Sequence, residues 1–258
     1  MTAQRRPVAL VTGGRRGIGR AAALALARAG HDVAISDVED DTALRDTLAA
    51  IRDHGGRAFA AVFDLADLAA HAGALDAVEA NLGPVSVLVN NAGRGAVVRG
   101  DLLDLVPGNF DAVLGVNLRG TVFLTNAVVR RMLSADRPGH PRAVITVTSV
   151  SAAMASPERA DYCVSKAGLS MYVAALALRL AGTDIAVHEV RPGIIRTDMT
   201  AAVADRYDGL IAGGLVPDRR WGEPEDVAAA IAGLASGAFA FARGQVVTVD
   251  GGLSLPRL

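Results

Sequence analysis

Val8-Ala9-Leu10-Val11-Thr12-Gly13-Gly14-Arg15-Arg16-Gly17-Ile18-Gly19 is the stretch from which the rest of the chain can be read. An apolar run enters a glycine-rich turn, and a helical pattern covers residues 17–29 beyond it. Strand, turn and helix start together are the setting that a phosphate-binding reading requires. Glycine lets the main chain turn sharply and approach a pyrophosphate. The amino end of the next helix then offers unpaired amide hydrogens and the positive end of its dipole. The same residues also make a tight turn without a ligand, so a second feature has to decide. Asp37 lies 18 positions after Gly19, at the carboxyl end of the next apolar run, where an acid accepts hydrogen bonds from an adenosine ribose. Glu39, Asp40 and Asp41 follow it, but only Asp37 abuts the run.

From this unit the same alternation runs to the end of the chain. Strand-like runs fall at residues 8–12, 33–36, 58–63, 85–89, 143–148, 185–190 and 246–249. Most are continuously apolar, as parallel strands covered on both faces are. Helical patterns occupy about 17–29, 42–54, 67–82, 109–133, 161–180 and 224–236, and Gly30, Gly55, Gly56, Gly83 and Gly182 stand where such helices stop. Strict alternation predicts an α/β fold: one domain over residues 1–258, with a doubly wound parallel sheet of about seven strands and helices on both faces. Residues 197–221 break the rhythm; polar, glycine-bearing and irregular, they are expected to form a mobile substrate loop.

Bulk composition narrows the function classes. Of the 258 residues 51% are hydrophobic, enough for a substantial core, and the net charge is −1 with no long run of Lys and Arg, which argues against a nucleic-acid partner. The pairs Arg5-Arg6, Arg15-Arg16, Arg130-Arg131 and Arg219-Arg220 read as solvated. Arg28 and Arg179 interrupt the two most apolar helical candidates, so no membrane span is expected. The amino-terminal apolar segment leads into the glycine turn rather than a cleavage site, which favours a cytoplasmic protein. Cys163 is the only cysteine and the five histidines show no ligand spacing, so neither an internal disulfide nor a metal site is expected.

Thr-Gly-x-x-x-Gly-x-Gly resembles the glycine turn of the short-chain dehydrogenase/reductase family, and further motifs follow in family order. Asn90-Asn91-Ala92-Gly93 follows the fourth strand, Asn117 sits in Val-Asn-Leu-Arg-Gly, Ser149 ends the fifth strand, and Tyr162-Cys163-Val164-Ser165-Lys166 opens the next helix. Arg191-Pro192-Gly193 with Thr197 follows the sixth strand, and Val249-Asp250-Gly251-Gly252 resembles the closing signature. The resemblance covers essentially the whole chain. It implies a single-domain Rossmann-type sheet, a nicotinamide cofactor and a homotetramer.

Tyr162 and Lys166 stand four positions apart, on one face of a helix, and an ammonium near a phenol favours the phenolate. Such a pair without other context is an ordinary amphipathic surface feature; the resemblance makes it a proton-transfer pair. Ser149 lies 13 positions before Tyr162, the separation the family shows, and the resemblance implies that its hydroxyl hydrogen-bonds a carbonyl oxygen as charge develops there, with Ser151 as its rival. By resemblance, Asn117 holds a water in a proton relay to Lys166, and Lys166 also binds the nicotinamide ribose. The resemblance further implies that Gly13, Arg16, Gly17, Ile18, Gly19 and Asp37 line the cofactor and Asp64 contacts adenine. Asn91 and Gly93 are to pack along the adenosine side, with Pro192, Gly193, Ile195 and Thr197 near the nicotinamide amide and phosphates. Cys163 reads as a small apolar filler.

The expected activity is hydride transfer between a nicotinamide cofactor and a ketone or secondary alcohol, with Asn117, Ser149, Tyr162 and Lys166 as the catalytic group. Asp37 favours NAD, whereas Arg15 and Arg16 leave NADP possible. Overall likeness is greatest to the 3-oxoacyl-(acyl-carrier-protein) reductase group, with a sugar or polyol dehydrogenase as alternative. A carrier protein would need a basic surface, for which Arg130, Arg131, Arg137, Arg219 and Arg220 are the candidates. A non-catalytic nucleotide sensor on the same fold would show a damaged catalytic group, and a longer-chain epimerase would carry an extra substrate domain; neither mark is present.

Overall fold

In the computed structural model, which describes residues 6–135, 139–201 and 203–257, β1 (Val8–Thr12) leads into α1 (Gly17–Arg28). Then come β2 (Asp32–Asp37), α2 (Thr42–Asp53), β3 (Ala58–Val62), α3 (Ala70–Leu82) and β4 (Val85–Asn90). The second half contains α4 (Pro107–Leu114), α5 (Thr121–Ser134), β5 (Arg142–Val147), α6 (Ala160–Arg179) and β6 (Ile185–Pro192). It ends with α7 (Asp198–Ala201), α8 (Ala204–Ala212), α9 (Pro224–Ala235) and β7 (Val246–Val249). Among the described residues the strands form one parallel sheet in the order β3-β2-β1-β4-β5-β6-β7. This is the doubly wound sheet expected from the alternation, of the Rossmann type that the resemblance implies.

Both faces of the sheet are covered, which is why its strands read as unbroken apolar runs. Side chains alternate across the pleat. Ala9, Val11, Val87, Val89 and Ile145 point into the layer closed by α1, α2 and α9, whereas Leu10, Leu88, Val144 and Val187 point into the layer closed by α3, α5 and α6. Burying each such side chain is worth about 1.5–3 kcal/mol. The sheet order reverses between β1 and β4, and there the turn after β1 and the loop after β4 leave a crevice at the carboxyl ends of the strands.

Three expectations need correction. The helix predicted at 109–133 is not uniform, because a π-helical turn at Gly115–Gly120 joins α4 to α5. There Gly120 brings the backbone against Leu65, where a Cβ would stand 2.3 Å from the carbonyl oxygen. Taken as one helix, Pro107–Ser134 is long and apolar enough to cross a membrane, which the sequence reading missed. It packs as a core helix, with Val113, Leu124, Val128 and Met132 buried. Residues 197–221 are not irregular either. They form α7 and α8, folded around a small core of Ile211, Val216 and Trp221, and Gly209 lies inside α8 rather than at a hinge. Trp221 donates to Asp208 at 2.6 Å, meets the Tyr207 ring edge-on and lies under Arg196.

Candidate active site

The glycine turn is held by its neighbours. Thr12 Oγ1 accepts the amides of Asn91 and Ala92, both at 3.0 Å, and the Asn91 carboxamide donates to the carbonyls of Thr12 and Gly13, each at 3.0 Å. Asn91 is therefore spent on bracing the turn after β1. A Cβ on Gly19 would stand 2.0 Å from the Gly13 carbonyl oxygen, so glycine lets α1 start tight against the turn. No side chain caps the α1 amino terminus, which leaves its first-turn amides facing the crevice without a side-chain partner. Gly17 and Ile18 belong to that first turn, and Thr197 closes over it, 3.4 Å from where a Gly17 Cβ would stand. Arg16, exposed, pairs with Asp198 at 3.0 Å. Asp37 is the last residue of β2, and Asp64 follows β3, its carboxylate accepting the Ala66 amide at 2.8 Å. A pyrophosphate and an adenosine ribose fit this donor and acceptor set.

Arg15 corrects the reading of its pair as solvated. Its residue is 7% exposed, and its guanidinium pairs with Glu39 at 2.6 Å, with Asp41, and with Asp37 at 3.5 Å. Of the other pairs, Arg131 binds Asp76 and Glu79, and Arg220 binds Asp226.

At the other end of the crevice four side chains converge. Ser149 does not end β5; it lies two residues past Val147 and caps a short 3-10 turn, accepting the Ser151 amide at 3.1 Å. Of the two serines it is Ser149 whose hydroxyl acts on the Tyr162 phenol, which singles it out from Ser151. Tyr162 stands in the first turn of α6, with Lys166 Nζ 5.7 Å and Arg159 Cζ 5.5 Å from its ring centroid. Burial pushes the Tyr162 phenol up, while the Ser149 hydroxyl and Arg159 pull it back. Lys166 is buried and donates to the Val147 carbonyl at 3.1 Å; burial pulls its ammonium down to about 8, against the pull of Glu189.

Asn117 lies in the π-helical turn. Its Oδ1 accepts the Arg94 amide at 2.8 Å, and its Nδ2 donates to the Arg94 carbonyl at 2.9 Å and to Ser165 Oγ at 3.1 Å. Gly93, expected along the adenosine side, stands beside Asn117 and Lys166. A Cβ there would meet Asn117 Oδ1 at 3.2 Å and Lys166 Nζ at 3.6 Å, so Gly93 borders the catalytic group. Pro192 ends β6, Gly193 allows close approach to Asp250, and Ile195 is buried beside Gly222. Cys163 is a half-buried free thiol.

One part of the site was not anticipated. Glu189, buried on β6, accepts Thr148 Oγ1 at 2.6 Å, Ser170 Oγ at 2.8 Å and Arg191 Nη2 at 2.8 Å. Thr148 sits between the Val147 carbonyl that takes Lys166 and the Ser149 hydroxyl, and Ser170 is one turn beyond Lys166. Glu189 thus ties the end of β5 to α6. Its signal in the sequence is a charged pair two positions apart in an otherwise apolar strand.

Residues 13–254 match the family model described as enoyl-(acyl carrier protein) reductase. The crystal structure of a 3-oxoacyl-(acyl-carrier-protein) reductase from Brucella melitensis in complex with NAD is 57% identical, with a TM-score of 0.96 over 99% of this chain and 100% of that one. The 3-oxoacyl-(acyl-carrier-protein) reductase of Synechocystis sp. is 36% identical over 98% of this chain and 99% of its own length. A D-threitol dehydrogenase of Mycolicibacterium smegmatis is 35% identical over 96% and 93%. The molecule is accordingly an oxidoreductase that acts on carbonyl and alcohol groups with an NAD(P) cofactor. With this match spanning the glycine turn, the Tyr162/Lys166 pair and the closing strand, the chain belongs to the short-chain dehydrogenase/reductase family.

Proposed function

We propose that this enzyme reduces a 3-oxoacyl thioester to the 3-hydroxyacyl thioester, with NAD(H) as its cofactor, and that the catalytic group is Asn117, Ser149, Tyr162 and Lys166. The observation that carries the reading is the convergence of Ser149, Tyr162 and Lys166 at the carboxyl edge of the sheet, beside the crevice. Gly13, Arg16, Gly17, Ile18 and Gly19 would hold the pyrophosphate, Asp37 and Asp64 the adenosine, and Lys166, Pro192, Gly193, Ile195 and Thr197 the nicotinamide end. When bound, the nicotinamide supplies or accepts the hydride at the carbonyl carbon. Tyr162 Oη gives its proton to the carbonyl oxygen in reduction and takes it from the alcohol in oxidation. Ser149 Oγ donates a hydrogen bond to that oxygen, and the Lys166 ammonium stabilises the phenolate left on Tyr162. The Nδ2 hydrogens of Asn117 are spent, so its Oδ1, with one lone pair left, would hold the relay water.

Asp37 supports NAD, because a carboxylate accepts bonds from a free ribose hydroxyl and repels a 2′-phosphate. We further propose a single domain, with residues 197–221 over the substrate, assembled as a cytoplasmic homotetramer. For a carrier-protein partner, Arg131 and Arg220 are already engaged in ion pairs, Arg130 and Arg219 are exposed, and Arg137 lies outside the described residues. A polyol dehydrogenase is the second reading, favoured by the D-threitol dehydrogenase relative and by an NAD-directed site that suits oxidation. Assays of acetoacetyl thioesters against a polyol panel separate the two. Thioester reduction in excess of polyol oxidation is expected; no thioester reduction with robust polyol turnover overturns the order.

A further inference from the structure

Arg15 lies where a basic side chain next to an adenosine ribose would be expected to welcome a 2′-phosphate, yet its surroundings point the other way. The residue is buried, and three carboxylates from the end of β2 and the segment after it converge on it: Glu39 at 2.6 Å, Asp41, and Asp37 at 3.5 Å. Its Nε is buried without a hydrogen-bond partner and is the guanidinium atom that faces Asp37. The Arg15 main chain is fixed as well, the amide donating to Asp37 Oδ2 at 3.4 Å and the carbonyl accepting Thr47 Oγ1 at 3.0 Å. Asp41 divides its carboxylate between Arg15 and the Leu44 amide at the start of α2. The cluster thus joins the glycine turn, the carboxyl end of β2 and α2. One cation against three carboxylates leaves a formal charge of −2 around the ribose-binding Asp37. Two further arginines of the glycine turn and α2 are also paired, Arg16 with Asp198 and Arg45 with Asp40.

We propose that Arg15 is a specificity-determining residue whose charge is quenched by Glu39 and Asp41, so that it holds Asp37 towards the ribose and is withheld from a 2′-phosphate. The inference rests on the NAD reading above and adds a device to it: the same guanidinium becomes a 2′-phosphate anchor once its two outer carboxylates lose their charge. Desolvation works against the Arg15 charge, but Asp41, Asp37 and Glu39 outweigh it and hold the guanidinium above its ordinary range. A buried guanidinium that cannot shed its proton must keep its partners, and here those partners are the gate.

The test compares the whole protein with a Glu39→Gln/Asp41→Asn variant, in which the asparagine still caps α2, and with a third form that also carries Arg15→Met. Calorimetric titration with ADP-ribose and with 2′-phospho-ADP-ribose, at low salt because Glu39 and Asp41 are partly exposed, reads the preference without turnover. The ratio of the two dissociation constants is expected to move at least tenfold towards the phosphorylated ligand in the double variant and to return most of the way when Arg15 is removed. The same order is expected in kcat/KM for NADPH over NADH. No shift in the double variant overturns the proposal, as does a shift that survives loss of Arg15, which would mean that relief of repulsion alone is at work. A wild type that already prefers the phosphorylated ligand overturns the NAD reading itself. Should the form with Arg15→Met not fold, Arg15→Gln in the same background, a neutral donor to the side chain at position 41, serves the same comparison.

Discussion

The Lys166 ammonium is walled off from water and titrates at about 8 in the folded chain, against 10.5 for a free lysine. Between those values the unfolded chain holds a proton that the folded chain has released, so stability rises with pH across that window. The cost of burying the charge is fully present below pH 8 and falls away towards 10.5, by about 3 kcal/mol in all. Unfolding curves of the cofactor-free protein and of Lys166→Met, followed from pH 7 to 10.5, should diverge in favour of the wild type. Parallel curves would show that the ammonium is not desolvated. Tyr162 carries the second prediction at this scale. Tyr162→Phe removes only the transferable proton, and turnover should fall by about 10²–10⁴-fold while NADH binding, read by fluorescence titration, is kept. Comparable turnover in both forms would remove Tyr162 from the mechanism.

Among the elements, the junction of β1 and α1 tolerates least. A Gly19→Ala side chain would meet the Gly13 carbonyl at 2.0 Å and Asn91 Nδ2 at 2.4 Å, and the first of these is backbone that cannot swing aside. A loss of about 3 kcal/mol is expected, seen as a melting point lower by about 6–12 °C, together with weaker ADP-ribose binding. Gly73 is the opposite case. It lies inside α3 with nothing within 4 Å of where a Cβ would stand, so Gly73→Ala should stabilise by about 0.5–1 kcal/mol by removing unfolded-chain entropy. Equal melting points for the two variants would contradict this account of where glycine is needed.

For the whole molecule, the outward face of α6 bears on assembly. Val164, Ala167, Met171, Ala174 and Leu178 are all exposed and fall on one stripe at intervals of three and four; Met171 and Leu178 are 70% and 80% exposed. A seam of this kind is where the proposed tetramer would make one of its contacts. The edge strand β7, with Val246, Phe239 and Phe241 exposed in and near it, offers a second such surface. Light scattering behind a sizing column should give the mass of four chains for the wild type, and a Met171→Asp/Leu178→Glu variant should shift to a smaller species while keeping its circular dichroism. A monomeric wild type at micromolar concentration would refute the tetramer.

Much of the fold was legible in the amino-acid order because its determinants are local. Short continuous apolar runs alternate with helical patterns, and glycines mark the turns, so the doubly wound sheet and the crevice at its switch point follow from short-range pattern. The spacing of Tyr162 and Lys166 was likewise readable, since one helix sets both. Other features waited for the tertiary structure. Arg15 reads as solvated until the chain returns 22 to 26 residues later with Asp37, Glu39 and Asp41. Glu189 shows in the sequence only as a charge in a mostly apolar strand, and its partners are fixed when β5 and α6 close on it; the approach of Gly93 to Asn117 likewise waits for the π-helical turn. Period and turn chemistry are properties of neighbours along the chain. The partners of a buried charge are properties of neighbours in space, and only packing chooses them.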